Sequence, residues 1–183
     1  MKLLLGSSSV ALWHDIIHEA EAACTITLKE ELESYLVFLL MRYINKPEIV
    51  KQIIANEFLE GLNYAPHQRH LAMQEVGDKC LIFSGLFPQL AEKRLVKISY
   101  FINIGQSAYD TISRTSNDLY GLLASEFVSL MDILQSIRSY TSELLPLEAY
   151  ELWNEVGSKR ALKALQSHTA GVPVMSYWGK GRQ

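Results

Sequence analysis

Residues 76–109 read VGDKCLIFSGLFPQLAEKRLVKISYFINIGQSAY, and the pattern inside them decides the fold. Val76, Cys80, Ile82, Phe83 and Phe87 recur at three- and four-residue intervals, the spacing of an apolar helix stripe. Leu81 and Leu86 widen that stripe until it covers most of the circumference, which predicts a central helix packed on several neighbours. Asp78 and Lys79 enter near its start, where a carboxylate suits the positive end of the helix dipole. Phe87-Pro88 stops it, because the residue before proline is pushed out of the α region. The charge-free run from Cys80 to Ala91 is therefore expected to be the axle of the molecule. A short helical turn is expected from Gln89 to Leu95. Ser99 then offers a hydroxyl cap to a helix beginning at Tyr100. Gly105 and Ala108 give that helix a small-residue face where another backbone can come close.

The strings GD-x-CL-x-x-x-GLFP (residues 77–88) and SYF-x-x-x-G-x-x-AY (residues 99–109) resemble a pattern found in a family of small helical bacterial proteins with no assigned activity. The resemblance spans residues 72–112, and its most specific elements are Gly77-Asp78, Gly85-Leu86-Phe87-Pro88, Tyr100, Gly105 and Ala108-Tyr109. It implies a bacterial origin and no particular chemistry.

Outward from this stretch the chain reads as helix after helix. Ser7, Ser8 and Ser9 are cap candidates for a first helix over residues 10–23, with Val10, Trp13, Ile17 and Ala20 inward. Thr27 and Glu30 form a T-x-x-E capping box for a second helix, residues 28–44, whose inner stripe includes Leu32, Tyr35, Leu36, Leu39, Leu40 and Tyr43. Pro47 opens a third that closes near Gly61, and the central helix begins as early as His67. Beyond Arg114, Thr115-Ser116-Asn117 caps one long helix over residues 118–140. Pro146 starts a short helix through Trp153, and Gly157-Ser158 separates it from a last one over residues 159–166. The sum is an all-α, irregular multi-helix bundle of about eight helices: one helical domain over residues 1–167, then an irregular basic and aromatic tail over residues 168–183. No internal repeat argues for a solenoid.

Composition narrows the class. With 183 residues, 49% apolar and 20% charged, the chain suits one globular domain that buries about 70% of its unfolded surface. A net charge of −3 sets it apart from dedicated nucleic-acid binders, whose footprint is strongly basic. Cys24 and Cys80 lie inside apolar helical patterns, as buried free thiols of a reducing compartment do. Met1-Lys2-Leu3-Leu4-Leu5 begins like a secretion signal, but Asp15, Glu19 and Glu21 interrupt any apolar core, so a cytoplasmic location is expected. No window reaches the apolar length of a membrane span.

The chemistry-bearing residues form few constellations. His14 and His18 are four apart, which puts both imidazoles on one helix face, the spacing of two histidines sharing a metal. Glu30, Glu33, Glu57 and Glu60 are acids that facing helices could add, although each also suits a solvated face. His67 and His70 read as surface residues. Cys80 stands in the most apolar segment, which shields a thiol and disfavours its thiolate. Phosphate-cradling glycine loops, serine-nucleophile elbows and paired-cysteine zinc spacings are all missing from the sequence, and no cofactor is expected. Asp78, Arg94, Tyr100 and Tyr109 are candidates for the polar lining of an inter-helix pocket, or for a buried network that satisfies itself.

Charge is uneven along the chain. Residues 1–60 hold five Lys/Arg against nine Asp/Glu, while residues 156–183 hold five Lys/Arg and no acid. That tail carries Tyr177 and Trp178 beside Lys180 and Arg182, a mixture that suits a solvated tail, a partner contact or stacking on nucleic-acid bases. Together these readings lead to a non-catalytic helical interaction protein that self-associates or docks a protein partner through Phe101, Gly105, Ala108, Tyr177 and Trp178. The alternatives are an enzyme or carrier with a small-molecule or metal pocket between helices, and weak nucleic-acid binding through the tail.

Overall fold

The computed structural model describes residues 3–43, 54–88, 97–113, 118–138 and 144–168. Among them lie nine α-helices and no strand: α1 Leu3–Cys24, α2 Glu30–Tyr43, α3 Ile54–Leu62, α4 Pro66–Leu86, α5 Ile98–Ser113, α6 Asp118–Ser125, α7 Phe127–Arg138, α8 Pro146–Val156 and α9 Lys159–His168. The protein is an all-α multi-helix bundle. No described helix is long and apolar enough to cross a membrane.

α4 is the centre. Pro66 occupies its first position, where the missing N–H is no loss, and the helix stops when the Phe87 N–H donates to the Phe83 carbonyl. Every residue from Val76 to Gly85 is buried. Burying Leu81, Ile82 and Phe83 stabilises the fold by about 1.5–3 kcal/mol each. α5, α7 and α3 pack directly on α4, while α1 bridges α7 and α2 on the outside. The buried Lys79 ties α3 to α4 by reaching Glu57 at 2.8 Å and Glu75 at 3.0 Å.

The α4–α5 crossing is close because glycines open it from both sides. A methyl group on Gly77 would lie 2.4 Å from the Tyr109 ring, and one on Gly105 would lie 2.5 Å from Phe127 and 2.8 Å from the Cys80 Cβ. The small-residue face of α5 is thus filled from within the chain. Phe101, 5% exposed, packs its ring 4.4 Å from Phe83, and Ala108 is buried too. Phe101, Gly105 and Ala108 are core residues here, not a surface offered to a partner.

Several boundaries differ from the sequence expectation, each for a local reason. α1 runs back to Leu3, past the serines expected to cap it. It ends at Thr25, whose φ of +58° is an unusual conformation for a β-branched residue. α2 begins at Glu30 rather than after a Thr27 box, because the Leu28 N–H donates to the buried Glu21 carboxylate at 2.7 Å. α5 begins at Ile98, so Ser99 lies inside the helix. The long helix expected over residues 118–140 is divided at Glu126 into α6 and α7. Backbone hydrogen bonds run through the break, from the Glu126 N–H to Leu122 and from the Leu130 N–H to Glu126, and the Ser125 hydroxyl donates to the same Leu122 carbonyl, competing for it. Pro47, the expected turn at 89–95 and the tail beyond His168 lie outside the described residues.

α8 and α9 form a hairpin with a small core of Ala149, Trp153, Ala161 and Leu165, turning at Gly157 with φ +72°. It docks on α7 and α1: Asp132 of α7 accepts from the Ser158 hydroxyl at 2.6 Å and the Arg160 N–H at 3.2 Å, and Lys163 Nζ donates to the Ala23 carbonyl at 2.7 Å.

Two alanine substitutions test the crossing in opposite directions. Gly105→Ala meets Phe127 and Cys80 and is expected to lose about 1–3 kcal/mol. Gly121→Ala meets only the Ser113 Cβ at 3.8 Å and is expected to gain up to about 1 kcal/mol from helix propensity. Urea denaturation reads both, and equal stability of the two variants would contradict the packing described.

Candidate functional site

Three helices converge on one carboxylate. α4 supplies Asp78, 1% exposed, at the outer edge of its buried stretch. α5 supplies Tyr109, whose hydroxyl donates to Asp78 Oδ1 at 2.8 Å. α2 supplies Tyr35, whose hydroxyl donates to the same oxygen at 2.5 Å, and Arg42, two turns further along the same face, whose guanidinium stands 3.7 Å from Asp78 Oδ2. The Tyr35 and Tyr109 rings meet edge to face at 6.5 Å, and Arg42 also lies over the Tyr43 ring. Gly77 makes this possible, since a side chain there would occupy the space of the Tyr109 ring.

Electrostatics follow from the burial. Loss of water pushes the Asp78 carboxyl up to about 6, against the pull of the two tyrosine hydroxyls and Arg42 toward the charged form. Tyr35 and Tyr109 are held far above the ordinary phenol range, first by burial and then by the Asp78 charge, so both remain donors. Tyr43 is pushed up to about 12 by the same two causes.

The carboxylate opens on a cleft of about 80 Å³ between α2 and α4, lined by Tyr35, Phe38, Leu39, Arg42, Gln74 and Asp78. A carboxyl pushed up to about 6, two hydroxyl donors and a partly exposed guanidinium can accept a proton or hold a hydrogen-bond donor there. Asp132 shows the contrast. It is equally buried, but its oxygens receive the Ser158 hydroxyl and the first turn of α9, the arrangement of a helix cap. Gln135 supports the same junction, accepting from Arg160 and donating to the Ser84 carbonyl.

Of the four pocket candidates read from sequence, Asp78 and Tyr109 meet as hydrogen-bond partners. Tyr100 does not join them: it is 44% exposed, with its ring against Phe101. Arg94 lies outside the described residues, as do Tyr177 and Trp178 and with them the tail's claim on nucleic acid. Tyr35 is assigned by the sequence only to an inward stripe, and Arg42 is not singled out at all. The available signal for both is a polar tip and a guanidinium set two turns apart on an otherwise apolar face of α2. Cys80 is fully buried and its thiol is pushed up by that burial, so it offers no nucleophile. His67 is exposed, and the His70 ring packs edge-on against Tyr120.

The other histidine pair behaves differently. His14 and His18 face Glu33 of α2, and one ligand atom from each of the three lies within 4.8 Å of the others. Glu30 and Glu60 are exposed and Glu57 is engaged by Lys79, so Glu33 is the acid that α2 contributes.

No protein-family model, curated protein or solved structure matches this chain. The geometry above therefore carries the functional reading alone.

Asp78 holds its proton more tightly folded than unfolded, about 6 against an ordinary 3.8. Its protonation thus favours the fold fully below the unfolded value, and that contribution is lost as pH rises through about 6. The difference amounts to about 3 kcal/mol between the extremes. Denaturation of wild type and Asp78→Asn at about pH 4 and about pH 7.5 should show the variant gaining on wild type by up to that amount at the higher pH. A stability difference independent of pH would mean that the carboxyl titrates normally.

Proposed function

We propose that this protein binds a small polar molecule in the α2–α4 cleft, as a carrier or enzyme of a reducing, bacterial cytoplasm. One observation carries the proposal: a carboxylate buried to 1% exposure forms the floor of a cleft, with a partly exposed arginine as its lid. A ligand amine or hydroxyl would take the place of the Arg42 guanidinium opposite Asp78 Oδ2. Phe38, on the cleft wall and 65% exposed, would cover the apolar part of the ligand. The volume of about 80 Å³ suits a head group of a few heavy atoms rather than a dinucleotide or haem. The two free buried cysteines support the cellular setting, and the motif at residues 77–109 supports the bacterial one.

A thermal-shift screen of small amines, amino alcohols and polyols tests this directly. A binder at 100 times its Kd stabilises the fold by about 2.7 kcal/mol, which moves the midpoint of a chain this size by roughly 5–10 °C. The shift is expected in wild type and absent in Asp78→Asn. A compound that shifts both proteins equally binds elsewhere, and a screen with no responder argues against a cleft ligand.

Self-association is a second reading, supported by the exposed apolar side chains Phe38 and Met41, one turn apart on α2, and Leu71 on α4. Light scattering across a concentration series would then show a dimer that Phe38→Glu converts to a monomer. A wild-type protein that stays monomeric throughout removes this reading and leaves the cleft untouched.

A further inference from the structure

On the opposite side of α2 from this cleft's chemistry, α1 and α2 bring together two imidazoles and a carboxylate. We propose that His14, His18 and Glu33 bind a divalent transition-metal ion of the zinc class, a site independent of the cleft. Three geometric facts carry it.

The first is the donor set. His14 and His18 are one turn apart on α1, with rings 6.4 Å between centroids, and Glu33 in the first turn of α2 faces them. Two nitrogens and one oxygen suit zinc and its neighbours in the first transition row, whereas magnesium and calcium prefer all-oxygen sets.

The second is a distance. His18 Nε2 and Glu33 Oε2 are 3.6 Å apart, too long for a good hydrogen bond. With metal–ligand bonds of ~2.0–2.1 Å, the edge of a tetrahedron is about 3.4 Å, so the pair already stands at coordination spacing. One His14 ring nitrogen lies within 4.8 Å of a ligand atom of each of the other two residues, so a side-chain adjustment would complete the face of a tetrahedron.

The third is the support behind His18. Its other ring nitrogen, Nδ1, lies 3.0 Å from Glu21 Oε2. Glu21 is itself buried, and its second oxygen is fixed by the Leu28 N–H at 2.7 Å. A carboxylate behind an imidazole holds the ring so that Nε2 points outward as an acceptor, the arrangement that commonly backs a metal-bound histidine. The three-protein-ligand set leaves a fourth position, and the exposure of His18 makes it available to water or a small ligand.

Titration of chelator-stripped protein with Zn²⁺, followed by isothermal calorimetry and by competition with a chromophoric chelator, tests the site. One ion per chain is expected. His14→Ala and Glu33→Ala should each weaken binding at least ten-fold, and Glu21→Gln should weaken it by about 10–100-fold although Glu21 is not itself a ligand. Circular dichroism checks that each variant keeps its helix content, and Asp78→Asn should bind zinc like wild type. Co²⁺ gives a second readout through the visible absorption of its four-coordinate form, lost in His14→Ala. Absence of zinc binding, or binding that His14→Ala and Glu33→Ala leave unchanged, overturns the proposal.

Discussion

A helix enclosed on all sides can be surrounded only if its neighbours approach closely, and in this protein that requirement is met at the α4–α5 crossing. Gly77 on one helix and Gly105 on the other remove the Cβ atoms that would hold the backbones apart. The aromatic rings of Tyr109 and Phe127 fill the space released, so the crossing is tight. The same contact aims the Tyr109 hydroxyl at Asp78, the residue next to Gly77. Packing and polar chemistry therefore share one cause, and the cleft owes its floor to the glycine that lets α5 in.

Three described carboxylates are buried, and the two most deeply enclosed, Asp78 and Asp132, are each surrounded by donors, as burial of a charge demands. Their surroundings nonetheless differ in kind. Asp132 accepts from the Ser158 hydroxyl and the Arg160 N–H at the start of α9, and burial raises its carboxyl against the pull of those hydrogen bonds and the Arg160 guanidinium. Asp78 faces two phenols and an arginine whose own side chain is more than half exposed. What distinguishes Asp78 is the cleft between α2 and α4 that it lines together with Tyr35 and Arg42.

Much of the architecture was legible in the sequence. The charge-free run that begins at Cys80, the apolar stripe from Val76 to Phe87 and the small residues Gly105 and Ala108 identify a central helix and a close approach without reference to any other part of the chain. What escaped were facts that depend on three-dimensional neighbours. Phe101, Gly105 and Ala108 carry the signature of a surface that another backbone approaches, and sequence cannot say whether that backbone belongs to the same molecule. Asp78 and Tyr109 were recognisable because they sit in the decisive stretch. Tyr35 and Arg42, about forty residues earlier, give no local hint that α2 faces the same point. Glu33 was one of four acids equally placed to join the histidines, and only the α1–α2 pairing separates it from the others.

The C-terminal hairpin borrows from its hosts. Its own apolar cluster is small, its second helix is capped by its own Ser158 at the Ala161 N–H and by an acid from α7 at the Arg160 N–H, and that helix's lysine in turn closes the end of α1 at Ala23. An element with so small a core, and with part of its capping supplied by α7, is the least buttressed part of the bundle, so α8–α9 should open as a unit before the rest. Amide hydrogen exchange would then divide the molecule into two layers of protection, with residues 146–168 releasing first and the α4–α5 pair last.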